Sequence, residues 1–401
     1  MREIYRKILS LLLICIILAA GAWTVSQIGW HSARAGLSTE QEDSTQMTNE
    51  EAAGEAYAQA DPELVLWYED ASYTPFFRLA AERYFAKTGV KVAVECQNML
   101  DYMGEIYDRT MLDDAFPDVY LISGDNLEEM YLYGLVSGNG TELADTGAAA
   151  SAVTASTYEG RRMGYPLSFH TCVFIYQTDY FGEAPISLQS IVDYSNENEP
   201  AENVEFLLEW NVNDAYYDFP FIANSVTFEK TEAGVMQVRY DEELYQQDLE
   251  YFETILGSFS VDTENVSEQG IIDNFLAGRT LCAIIDTNFL WQLEGYGYAL
   301  TQIPDLSETL TANTCAGTDM LVVNDFSRKE ELAADFASFA TVEMAAELYP
   351  STGHFSVIPS ADPTRAEQVA HAAYAEAVLM PDSQDAKNFW VNLEETFLKY
   401  F

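Results

Sequence analysis

Carboxylates and hydroxyls gather at the ends of strand-like runs in this chain. Leu64 to Tyr68 is a short apolar run, and Glu69, Asp70, Ala71, Ser72 and Tyr73 follow it directly. Val119 to Ile122 is another, led in by Phe116-Pro117-Asp118 and followed by Ser123, Gly124 and Asp125. Carboxylates placed there can accept hydrogen bonds from sugar hydroxyls or pair with a cation. Asp125 has an ordinary alternative as the cap of the short helix after it. A glycosidase would need two carboxyl groups roughly 5 to 10 Å apart across one bond, which sequence spacing does not establish. No GxSxG, P-loop, GxGxxG or metal-triad pattern is present, so an enzyme is not expected. His31, His170, His354 and His371 are scattered, and no metal or other cofactor is expected.

The first loop owes its place to the elements around it. Val90, Val92 and Val94 alternate with Lys91, Ala93 and Glu95 as in a half-buried strand. Between the two strands, Phe77, Ala80, Ala81, Tyr84 and Phe85 recur at helical spacing, with Thr74 as expected cap, Pro75 in the first turn and Gly89 at the end. A strand-helix-strand unit crosses over right-handed into a parallel sheet, and ligands sit outside the carboxyl ends of such strands. Similar patterns recur later. Tyr245, Leu249, Phe252 and Leu256 mark one helix, Ile272, Phe275 and Leu276 before Gly278 another, and Ser327 with Glu330 reads as a capping box before Leu332, Phe336 and Phe339. Strand-like runs at Val173 to Tyr176, Leu281 to Ile285 and Met320 to Val323 alternate with them, so the class is α/β.

Composition bounds the partners. The 401 residues are 48% hydrophobic and 13% aromatic, enough for large cores and two lobes. Nineteen Lys+Arg against 65 Asp+Glu leave a formal net charge of -46, which argues against nucleic acid or an anionic membrane surface. A solvated acidic surface explains that charge; a cationic ligand such as a polyamine is the sharper reading. Residues 1–35 read as an export signal, with Arg2, Arg6 and Lys7 ahead of the apolar run Ile8 to Ala22, or as an uncleaved membrane anchor. Residues 36–61, with almost no large apolar side chain, are expected to be a flexible acidic linker. Cys96, Cys172, Cys282 and Cys315 form no CxxC pair and lie in or beside apolar runs, so buried free thiols are expected ahead of disulfides or metal ligands.

Taken in order, LVLWYED, KTGVKVAVE, FPDVYLIS, YLYGLV, YEGRRMGYPLSFHTCVFIYQTDYF, DNFLAGRTLCAIIDTNFL, GYGYALTQIP and TCAGTDMLVVND resemble the extracellular solute-binding proteins of ABC importers, in particular the maltose-binding-like sugar group. The resemblance spans residues 63–401. It implies a periplasmic-binding-protein-like fold of type II, with a ligand cleft between two lobes joined by crossing strands near Pro166 to Thr171 and Cys315 to Leu321. Lobe I would comprise residues 62–168 and 320–358, and lobe II residues 169–319 and 359–401. The implied ligand positions are Asp70, Ser72, Tyr73 and Asp125, then His170, where the group often has a carboxylate. The motif WNVNDAYYDFPFIA adds Asp214 and Tyr216. Asp286 and Asn288 follow the AII strand, where Asn288 or Phe289 stands in for a stacking aromatic. Trp390 is the implied ring-stacking aromatic. His170 as a hinge residue and Trp390 as core are the plain alternatives. The implied role is a monomeric, exported protein that captures a mono- or oligosaccharide by hinge closure and delivers it to an ABC transporter permease, touching the membrane only through its N-terminal segment. A binding protein for a polyamine and a membrane-tethered sensor are the other readings.

Overall fold

The computed structural model describes residues 57–138, 146–198, 200–230, 236–259, 261, 266–380 and 384–400. The expected export segment and most of the linker lie outside these residues. The last part of that linker is held down, because the Tyr57 ring packs on Phe85 at 5.4 Å and its hydroxyl donates to Val92 O.

One mixed sheet runs through the molecule in the order Val92–Cys96, Leu64–Tyr68, Val119–Ser123, Cys315–Val323, Tyr165–Tyr176, Thr280–Asp286, Phe206–Glu209. The first three strands are parallel, as the strand-helix-strand unit requires. The two central strands, Cys315–Val323 and Tyr165–Tyr176, pair antiparallel with each other. The twelve-residue strand Tyr165–Tyr176 serves both sides of the molecule. Its first half pairs with Cys315–Val323 and with Phe355–Ser356, its second half with Thr280–Asp286 and Ala299–Thr301.

Each side carries its own core. On one, Phe76, Phe77 and Tyr84 of the helix Thr74–Thr88 pack with Leu64, Leu167, Leu321 and Phe336. On the other, Trp210, Phe219, Phe221 and Phe252 pack with Leu281 and Phe389. The helices expected around Leu249 and Ile272 are Glu242–Phe259 and Glu268–Leu276. Two expected caps form differently. Thr74 is itself helical and its hydroxyl accepts from Tyr68 Oη at 3.0 Å, while Asp70 caps the short turn Ala71–Tyr73 by accepting from Ser72 N at 2.8 Å. The Ser327 hydroxyl donates to Asp118 rather than completing a box, and Glu330 accepts from Ser137. In both places another side chain engages the expected cap, although Ser327 Oγ also accepts locally from Lys329 N at 3.1 Å.

Candidate functional site

Successive residues of a strand face opposite ways, so Ser168 and His170 share one face of the first central strand. Register places Gly317 opposite His170 and Asp319 opposite Ser168 on the second. Two polar groups meet on that shared face. In one, the Tyr73 hydroxyl lies 2.6 Å from both Ser168 Oγ and Asp319 Oδ2, and Ser168 Oγ donates to the same carboxylate at 3.1 Å. The His354 ring stacks on Tyr73 at 4.6 Å, with its Nε2 2.9 Å from Ser72 Oγ. In the other, Asp286 Oδ2 takes the Tyr216 hydroxyl at 2.6 Å and His170 Nδ1 at 3.0 Å, while Oδ1 accepts from Asn288 N at 2.7 Å. Asp214 caps the turn that presents Tyr216, accepting from its N–H at 3.0 Å.

Gly317 leaves the space that the His170 ring occupies, since a Cβ there would collide with that ring. Burial alone would push the His170 pKa down, yet the Asp286 charge and hydrogen bond, with Asp319 and Asp125 beyond, hold it at about 9. His170 is therefore a cation at neutral pH, and Asp286 beside it is held below the usual carboxylate range despite its burial. His354 is the opposite case: burial outweighs Asp319, Asp70 and Asp286 and lowers its pKa, so it is neutral. The hydroxyls of Tyr73 and Tyr216 are pushed well up by burial and by the adjoining Asp319 and Asp286, so both remain donors.

Nine of the ten expected site residues thus converge here. Asp125 takes part through its charge on His170; it does not cap the helix Leu127–Leu132, whose cap position is Asn126. Asn288 brings a buried Oδ1 with no hydrogen-bond partner among the described residues. Trp390 is placed otherwise: its described ring contacts are Phe219 at 5.4 Å and Phe389 at 5.2 Å, both core residues. Four members were not singled out from sequence. Ser168 and Asp319 carried a signal, being polar side chains inside apolar strands, where an unpartnered carboxylate is costly. His354 carried none. Glu268 opens the helix Glu268–Leu276, and burial, then Asp286 and Asp214, push its carboxyl to about 8, so it is protonated at neutral pH.

A group raised in this way costs the folded state stability as pH climbs from the ordinary carboxylate range toward 8. Glu268→Gln is accordingly expected to unfold at a higher temperature than the parent at pH 8.5 and at nearly the same temperature at pH 4.5. Equal midpoints at both pH values would refute the assignment. Among the described residues no group of three or more His, Cys, Asp or Glu side chains could hold a metal ion. A cavity of about 400 Å³ lined by Tyr176, Tyr298 and Arg365 shares no residue with this site.

No family model matches the chain, and no curated protein does. Solved structures do. The chain is similar to an extracellular solute-binding protein from Staphylococcus aureus in complex with maltose (TM-score 0.70, 15% identity, 85% of this chain and 93% of that one). It is similar to a cyclo/maltodextrin-binding protein complexed with maltotetraose (TM-score 0.72, 17% identity, 86% and 93%). It is also similar to a Thermus thermophilus maltotriose-binding protein bound with maltotriose (TM-score 0.67, 17% identity, 84% and 94%). The chain therefore has the two-lobed α/β fold of these sugar-bound binding proteins, with Tyr165–Tyr176 and Cys315–Val323 as its central strands.

Proposed function

We propose that this chain is an exported solute-binding protein that captures a mono- or oligosaccharide between its lobes and delivers it to an ABC transporter permease, acting by binding and not by catalysis. The observation that carries this is the convergence of hydroxyl, carboxylate and imidazole groups on one face of the central strand pair, in a fold whose solved examples hold maltose-type sugars. Sugar hydroxyls both donate and accept. Asp125 and Asp319 supply acceptors and the His170 imidazolium a donor, a mixture that suits them better than it suits a plain ion. Closure of the lobes would bury the ligand while few backbone positions move.

The test is thermal unfolding with maltose, maltotriose, maltotetraose and other saccharides, beside polyamines as a comparison set. A sugar at a hundred times its dissociation constant should add about 2.7 kcal/mol and raise the midpoint by a few degrees, with little change in salt. The second reading, a cationic solute, draws on Asp70, Asp125, Asp214 and Asp319 standing around the single His170–Asp286 pair. It expects a shift with polyamines that fades as salt rises. No shift with any saccharide would end the sugar reading.

A further inference from the structure

Cys172 and Cys315 lie on the two central strands, and both are buried free thiols. The antiparallel register ends at the Ala316–Thr171 pair; Cys315 and Cys172 are the next residue on each strand, and the two thiols lie within electrostatic reach of each other. Directly opposed residues of an antiparallel pair have their side chains on one face and Cα atoms about 4.5 to 5.5 Å apart. That lies inside the range a disulfide spans, about 4.4 to 6.8 Å. Further contacts keep the strands together at this point: Thr171 Oγ1 donates to Cys315 O at 2.8 Å and is bonded to Thr314 Oγ1. Both sulfurs belong to the same core, and both lie within electrostatic reach of Tyr216. The other cysteines are placed elsewhere. Cys282 pairs in register with Tyr176, four residues along the strand from Cys172, and Cys96 is exposed on the edge strand Val92–Cys96.

We propose that Cys172 and Cys315 are the two halves of a cross-strand disulfide that pins the central strands together beside the His170–Asp286–Tyr216 group. The oxidant is a disulfide-bearing thiol carrier such as oxidised glutathione. One cysteine thiolate attacks its S–S bond and releases one carrier thiol; the second attacks the mixed disulfide and releases the other. Two protons and two electrons leave the protein, and the carrier's disulfide is reduced to two thiols. Both sulfurs are inaccessible once the strands have paired, so the bond forms during folding or when the strands part. Export, a part of the proposed function, brings the chain to a compartment where such a bond persists, but the pairing itself rests on register. Because the central strands connect the lobes, the link stiffens the segment that has to bend on closure, and it removes the Cys172 thiol from the Tyr216 hydroxyl.

The experiment refolds the full chain in reduced and in oxidised glutathione buffers, alkylates it under denaturing conditions and maps the peptides. In the oxidised sample two of the five thiols should be lost, and the linked peptides should contain Cys172 and Cys315. The thermal midpoint should rise by about 5 °C or more over the reduced sample, because the bond closes a long loop. Cys282→Ser should behave as the parent, and Cys315→Ser should lose both the link and the oxidation-dependent rise. Full alkylation of the parent at every glutathione ratio, or a link through Cys96 or Cys282, overturns the proposal. If Cys315→Ser fails to fold, the parent's peptide map decides alone. No sugar is used in this test, so its failure would leave the saccharide reading where it stood.

Discussion

Asp286→Ala is expected to destabilise the folded protein by about 3 to 5 kcal/mol, the range for removing one partner of a buried ion pair. The Asp286 side chain is 7% exposed and that of His170 25%, so solvent screens the pair only in part. Without the carboxylate, the Tyr216 hydroxyl and the imidazolium lose their shared acceptor, and the turn from Asp286 into Asn288 loses its cap. The pH dependence identifies the cause. A folded-state pKa near 9 against an ordinary 6.5 means that the His170 contribution is complete below pH 6.5 and is lost as pH rises through 9. That displacement corresponds to about 3 kcal/mol. The Asp286 contribution runs the other way: its pKa is lowered, so it is present above the ordinary carboxylate range and lost in acid. Denaturant unfolding of the parent between pH 6 and 10 should therefore show stability falling as pH rises from 6.5 through 9, and Asp286→Ala should lack the His170 part of that fall while the Glu268 part, complete by about pH 8, remains. Asp286→Asn separates the two roles, keeping an acceptor for Asn288 N–H while removing the charge. A variant within 1 kcal/mol of the parent and parallel to it at all pH values would show that the pair is not formed.

What the chain's own letters reveal is uneven, and the unevenness has physical causes. The strand-helix-strand opening was legible because apolar periodicity changes from two to helical spacing and back within residues 64–96, and the sheet follows that change. The first loop was legible too, since the ends of parallel strands are where ligands sit. Caps were less so: Thr74 and Ser327 have the right types at the right offsets, yet Tyr68 and Asp118, close in the fold, engage them. The second half of the site was harder still. Tyr216, Glu268 and Asp286 come together only when the strand Thr280–Asp286 pairs with the far half of Tyr165–Tyr176, a long-range event with no local mark. His354 reaches Ser72 across most of the chain, and a lone histidine in TGHFSV announces nothing. Trp390 shows the limit of periodicity, because a tryptophan one helical step from a core stripe can still pack on Phe219 and Phe389.

Gly317→Ala tests whether the open space at residue 317 is what lets the His170 ring take its place. A Cβ at 317 would run into Nε2 and stand 2.8 and 2.9 Å from Cδ2 and Cε1 of the ring, nearer than real carbon contacts allow. The backbone at 317 lies outside the left-handed region, so alanine carries no conformational penalty there and the effect is steric. Either the strands separate or the ring swings away from Asp286 and Tyr216. The expected cost is about 1 to 3 kcal/mol, as for overpacking a filled site. Two further readouts distinguish a displaced ring from general looseness. The fall in stability between pH 6.5 and 9 should shrink, because a displaced His170 no longer gains from Asp286, and affinity for whichever saccharide stabilises the parent should drop about tenfold or more. Gly182→Ala is the control: nothing lies within 4 Å of its Cβ position, and it should stay within about 0.5 kcal/mol of the parent. Should Gly317→Ala lose stability yet keep the parent's full pH dependence, the His170 ring would not owe its place to the glycine.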